Sequence, residues 1–137
     1  MNFEITNHPK PADTDFIAAQ TRKFNDAFVK NDFSPLCVFV RDDAGELIAG
    51  LNGKTYWNYL EISFLWVHNH QRGSGIGTKL IQTTESEAVK RGCKYSMLDT
   101  YSFQALPFYL RHGYEEFGRL EGFCGEYTRY FLRKQLL

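Results

Sequence analysis

Three glycines within eight residues, Gln71-Arg72-Gly73-Ser74-Gly75-Ile76-Gly77-Thr78, separate an apolar run from a segment of helical periodicity. A strand that passes through such a turn into a helix limits the chain to folds in which a sheet ends beside a helix N-terminus. The first turn of a helix carries N–H groups without intrahelical partners and the positive end of the dipole, so this joint can hold an anion such as a phosphate. Glycines let the anion approach the backbone closely. Sixteen basic residues balance sixteen acidic ones, so the anion site is local, and neither nucleic acid nor a membrane surface is expected as a partner.

Spacing separates the loops that hold phosphates. A nucleoside-triphosphate loop needs Gly-x-x-x-x-Gly-Lys-Ser/Thr, which is absent. A dinucleotide fingerprint, Gly-x-Gly-x-x-Gly, starts at Gly73 and Gly75 but meets Thr78 where glycine or alanine is required, although Asp99 lies about where a ribose-binding acid would. Antiparallel hairpins upstream also oppose it. The remaining design, Arg/Gln-x-x-Gly-x-Gly/Ala, is met by Arg72, Gly75 and Gly77.

Along the chain, Phe3–Thr6 reads as a short strand. A helix capped at Asp13 or Thr14 runs to about Lys30 and is expected to cover a sheet. Leu36–Arg41, Glu46–Trp57 and Tyr59–His68 read as three antiparallel strands in series. The last is apolar on both parities, as in a central strand buried on both faces. A helix from Gly73 to Arg91 and a strand at Tyr95–Asp99 complete a crossover unit, so the Tyr59 and Tyr95 strands are expected to be parallel neighbours. Ser102–His112 reads as a helix, and Tyr114–Leu120 and Tyr127–Leu132 as a closing strand pair.

The glycine segment resembles the pyrophosphate-binding motif of the GNAT superfamily of N-acetyltransferases. Further on, Ala105-Leu106-Pro107-Phe108-Tyr109-Leu110-Arg111-His112-Gly113-Tyr114 resembles its second hallmark, an alanine followed by Phe-Tyr-x-x-x-Gly-Phe/Tyr. The resemblance implies a GNAT-like α/β fold (α+β, mixed sheet). Its central sheet is mostly antiparallel, with one parallel strand pair at the cofactor cleft and helices on both faces, and residues 1–137 form a single N-acetyltransferase domain. It also implies an acyltransferase that moves an acetyl group from acetyl-CoA, as cosubstrate and without a metal, directly to a primary amine of a small molecule or protein. A non-catalytic acyl-CoA-binding sensor or subunit is the alternative from a different class.

By the same resemblance, the loop of Arg72, Gly73, Ser74, Gly75, Ile76, Gly77 and Thr78 is expected to hold the CoA pyrophosphate, chiefly through its N–H groups. The Tyr59 and Tyr95 strands are expected to splay, a bulge in the first freeing backbone groups near Phe64–Val67. Leu65, Trp66 and Val67 would then meet the pantetheine arm, and the Leu65 N–H would polarise the thioester carbonyl. Tyr109 matches the superfamily's proton donor to the departing sulfur. Glu61 stands where a glutamate takes the amine's proton in protein-lysine branches; a counter-ion for the amine or a plain surface acid is the other reading of it. Retention of both residues favours an enzyme over a binder.

Other residues carry less. Cys37, Cys93 and Cys124 are odd in number and lack metal or disulfide spacing. Cys93 has no activating histidine nearby in sequence, which favours direct transfer over an acyl-cysteine. His68 and His70 lack a third ligand. The first ten residues hold no signal peptide or spanning run, so the expected address is cytoplasmic. Tyr56, Trp57, Trp66 and Phe123 are candidates to wall an acceptor pocket. The acceptor's identity and assembly as a homodimer stay open.

Overall fold

A computed structural model describes residues 1–137, which divide into two compact units, Met1–Asp32 and Phe33–Leu137. The first unit contains α1, Pro11–Asn25. Proline in the first helical turn loses no hydrogen bond, so the helix begins ahead of Asp13 and Thr14 and ends before Lys30. Phe3–Thr6, expected as a strand, has no regular structure.

The second unit holds β1 (Ser34–Arg41), β2 (Leu47–Tyr56), β3 (Tyr59–Val67), α2 (Ile76–Lys90), β4 (Tyr95–Tyr101), α3 (Leu106–Arg111), β5 (Glu115–Phe123) and β6 (Tyr127–Gln135). The strands form one six-stranded sheet in the order β1-β2-β3-β4-β6-β5. Every neighbouring pair is antiparallel except β3 and β4. The expected mixed α/β architecture with one parallel pair is therefore present. No helix is long and apolar enough to cross a membrane.

One sheet face carries the core. Leu36, Leu51, Leu60, Leu98 and Leu132 meet Leu80, Ile81 and Ala88 of α2 and Tyr109 of α3, so both helices of this unit bury side chains on the same face. Strand β3 departs from its expected reading. Leu60 and Ile62 face the core, then Leu65 and Val67 do, while Phe64 is 71% and Trp66 47% exposed. The run is apolar on both parities because its phase changes midway. Asn52 pairs with Phe64 but Gly53 with Ile62, leaving Ser63 as the extra residue of a bulge. Gly53 makes room for it, since a Cβ there would lie 2.9 Å from the Glu61 carbonyl oxygen.

A buried polar network ties helix to sheet. The Tyr114 hydroxyl lies 2.7 Å from Ser96 Oγ and donates to Glu85 at 2.9 Å. Lys134 donates to the other Glu85 oxygen at 2.8 Å. Burial, then the Glu85 charge, pushes the Tyr114 pKa up, so the phenol stays protonated. Tyr114→Phe removes a donor from a mostly buried carboxylate, and we expect it to destabilise the fold by about 1–3 kcal/mol, read as a lower urea midpoint.

Candidate active site

Parallel pairing between β3 and β4 covers only Tyr59–Glu61 against Tyr95–Met97, and beyond it the strands part. The hydrogen-bond phase of β3 decides what faces the gap. The His68 N–H donates to the Ile48 carbonyl at 2.8 Å. Antiparallel pairs alternate between bonded and non-bonded, so Phe64 and Trp66 turn their backbone groups to β2, while Leu65 and Val67 turn theirs to the gap. Arg72 Nε donates to the Val67 carbonyl at 3.3 Å. The N–H groups of Leu65 and Val67 remain as donors there. Trp66, expected among the backbone contacts, spends its N–H on the sheet.

The glycine loop ends the same gap. Gly75 is the N-cap of α2 with φ +84° and no side-chain cap, a left-handed conformation that glycine adopts without strain. The first intrahelical bond runs from the Lys79 N–H to the Gly75 carbonyl at 3.1 Å, which leaves the N–H groups of Ile76, Gly77 and Thr78 without intrahelical partners. A Cβ at Gly73 or Gly75 would meet nothing within 4 Å, whereas one at Gly77 would lie 3.3 Å from the Phe108 ring. The outer glycines therefore face open space, and the inner one lets α2 touch α3. Ser74 Oγ donates to the Gln71 carbonyl, bracing the turn. Thr78 Oγ1 lies 3.1 Å from His112 Nε2, whose ring packs on Phe108 at 4.6 Å.

Tyr109 is 9% exposed, with its ring edge-on to Phe108 and Tyr114. No protein group hydrogen-bonds its hydroxyl, yet no fully buried side-chain polar atom lacks a partner; the hydroxyl must therefore reach solvent. Burial, and then the charge of Asp99, pushes its pKa up, so it holds its proton at neutral pH. Glu61 lies on the face opposite the core. Its carboxylate accepts from the Tyr56 hydroxyl at 2.9 Å and faces Lys54 Nζ at 3.7 Å. Burial and that hydrogen bond push the Tyr56 pKa up to about 12.

Sequence reasoning missed the Asp99–Arg129 ion pair. Asp99 entered only as a ribose-binding acid, and Arg129 carried no motif; their meeting depends on where β6 inserts beside β4. The four candidate pocket aromatics do not meet as one wall. Tyr56 packs with Phe33 and Trp57, Trp66 lines a groove of about 200 Å³ with Phe39 and Phe64, and Phe123 packs against Tyr101.

The family model described as "Acetyltransferase (GNAT) family" matches residues 3–114. The chain is 37% identical over 95 residues to blasticidin-S acetyltransferase of Streptomyces morookaense, covering 69% of this chain and 70% of that one. It is 37% identical over 93 residues to an acetyltransferase of Agrobacterium fabrum, covering 68% of each. A solved structure from Agrobacterium tumefaciens, assigned as an acetyltransferase, superposes with a TM-score of 0.93 at 31% identity, over 98% of this chain and 99% of that one.

Proposed function

Because the chain belongs to the acetyltransferase (GNAT) family, we propose that it moves an acetyl group from acetyl-CoA directly to a primary amine. Acetyl-CoA is a substrate here, consumed in each turnover. The observation that carries the reading is the continuity of backbone donors from the gap to the helix: Leu65 and Val67 on β3, then Ile76, Gly77 and Thr78 in the first turn of α2. Two phosphates need several N–H donors at a positive helix end, and an extended amide-bearing arm needs a strand edge. Both are present at suitable spacing.

Each residue takes a role from its position. Arg72, Gly73, Ser74 and Gly75 shape the loop around the pyrophosphate. The Leu65 N–H polarises the thioester carbonyl. Tyr109 gives its proton to the departing sulfur. Glu61, already engaged by Tyr56 and Lys54, stands on the opposite face and draws in the acceptor's ammonium group. An alkylamine with a pKa of about 10.4 is mostly protonated at neutral pH, so turnover should rise with pH towards that value. The Streptomyces relative's name concerns its own acceptor, and it makes small-molecule amines the first class to test.

The test follows free thiol while acetyl-CoA is incubated with a panel of amines. Binding is read separately. At a hundred times its dissociation constant a ligand stabilises by about 2.7 kcal/mol, which for a domain of this size raises Tm by about 8 °C. We expect that shift with acetyl-CoA or CoA, much less with adenosine or pantetheine alone, and none with NADH. Stabilisation by NADH and not by acetyl-CoA would overturn the reading.

A further inference from the structure

The carboxylate best placed to act in the cleft is not on β3. Glu61 stands at the last rung of parallel pairing, where β3 and β4 are still joined, and Tyr56 and Lys54 already occupy it. Asp99 lies two residues beyond Met97, the last paired residue of β4. Carried forward, that register sets it across the gap from Ser63, the bulged residue just ahead of Leu65. Along β4 the buried Leu98 and Thr100 alternate with it, so its side chain stands on the face opposite the core, with 31% of it exposed. Tyr109 lies on the core face. Arg129 donates to Asp99, with its guanidinium 5.6 Å from the Tyr101 ring centre and 5.0 Å from that of Phe131. The sheet thus has this phenol on its core face and a fixed carboxylate on the other.

We propose that Asp99, and not Glu61, accepts the amine's proton during transfer, with Arg129 as the residue that positions it. This rests on the acetyl-transfer reading above. The ammonium ion drawn in by Glu61 first gives one proton to water, and the free base that results attacks the thioester carbonyl carbon with its nitrogen lone pair. A C–N bond forms, and the carbonyl π pair moves onto the oxygen, beside the Leu65 N–H. The nitrogen is now positively charged and far more acidic than an alkylammonium, so one proton passes to Asp99 and on to water. The oxygen pair re-forms the carbonyl and the C–S bond breaks; the sulfur leaves with the C–S bonding pair and takes the Tyr109 proton, which solvent replaces. The balance is one amine and one thioester giving one amide and one thiol. A carboxylate can take a proton this acidic and would not strip one from a free ammonium ion.

Three substitutions test this, each with acetyl-CoA affinity by calorimetry and Tm as controls. Asp99→Asn is expected to lower kcat about a hundred-fold, the scale of lost acid–base assistance, with acetyl-CoA affinity within a few-fold of the parent. Glu61→Gln is expected to raise KM for the amine and to lower kcat less than ten-fold, about the scale of one exposed charge. Arg129→Gln breaks the same ion pair but keeps the carboxylate, so its loss should be much smaller than that of Asp99→Asn. Equal losses from the two would mean the pair is only a brace and would overturn the assignment; so would a larger kcat loss in Glu61→Gln. Should Asp99→Asn fail to fold, Asp99→Glu keeps the pair while displacing the carboxylate, and parental kcat in that variant counts against the proposal. If the parent acetylates no amine, the functional reading fails and this assignment with it. An active parent with a fully active Asp99→Asn removes Asp99 alone.

Discussion

Gly75→Asp should leave a folded protein that no longer binds CoA. At φ +84° with no atom within 4 Å of an added Cβ, the position has room for a side chain, and aspartate tolerates the left-handed region better than most residues. The cost to folding is about 1 kcal/mol. The cost to binding is electrostatic. A carboxylate would stand at the N-cap of α2, among the donors proposed to hold the pyrophosphate. Two like charges about 4 Å apart repel by about 4 kcal/mol at the effective dielectric of a protein surface, or about a thousand-fold in affinity. Gly75→Asn adds similar bulk without charge and should retain much more of the affinity. Calorimetric titration of both variants separates the two effects, and unchanged binding in a folded Gly75→Asp would show the loop to be only a turn.

Replacing Tyr109 with phenylalanine should cost turnover and little else. The ring and its contacts with Phe108 and Tyr114 remain, and the hydroxyl leaves no protein partner behind. A thiol with a pKa of about 8.5 is already a fair leaving group, so we expect a loss near the lower end of the range for general-acid assistance, about a hundred-fold in kcat. Acetyl-CoA affinity should stay within a few-fold, the pattern of an interaction made in the transition state. An acyl donor with a more acidic thiol needs less protonation, so the gap between variant and parent should narrow with it. Because burial and the Asp99 charge raise the Tyr109 pKa, its proton is retained across the neutral range, and it should cause no fall in rate until the pH passes about 10. Equal turnover of variant and parent with both donors would return Tyr109 to a packing role.

What could be read from the sequence divides along physical lines. The turn from Arg72 to Thr78 and the start of α2 just after it were legible because local glycine spacing places them. The three antiparallel strands in series and the parallel pair followed from connection lengths, whereas the insertion of β6 between β4 and β5 did not. The bulge was expected as a device, but its position at Ser63 depends on Gly53 across the ladder. An apolar run on both parities looks the same whether two faces are buried or one phase change occurs. Helix α3 begins at Leu106 and not at Ser102 because Pro107 has no N–H to offer four residues back, and Gln104 instead braces the Tyr101 N–H at 2.8 Å. Pairs such as Asp99 with Arg129 and Glu61 with Tyr56 are set by interstrand register, which no local spacing encodes.

Where β3 and β4 part, the sheet acquires an edge in its interior, between its third and fourth strands and not at its rim. Exposed edges are templates for foreign strands. This one is guarded by brevity: on β3 it offers little beyond the backbone groups of Leu65 and Val67, and Arg72 occupies one of those carbonyls. A full peptide strand would find too few rungs to hold it. On the acetyl-transfer reading the pantetheine arm of CoA, with only two amide groups, would be short enough to use what is there, so an opening that suits such a substrate also makes the cleft a poor seed for aggregation.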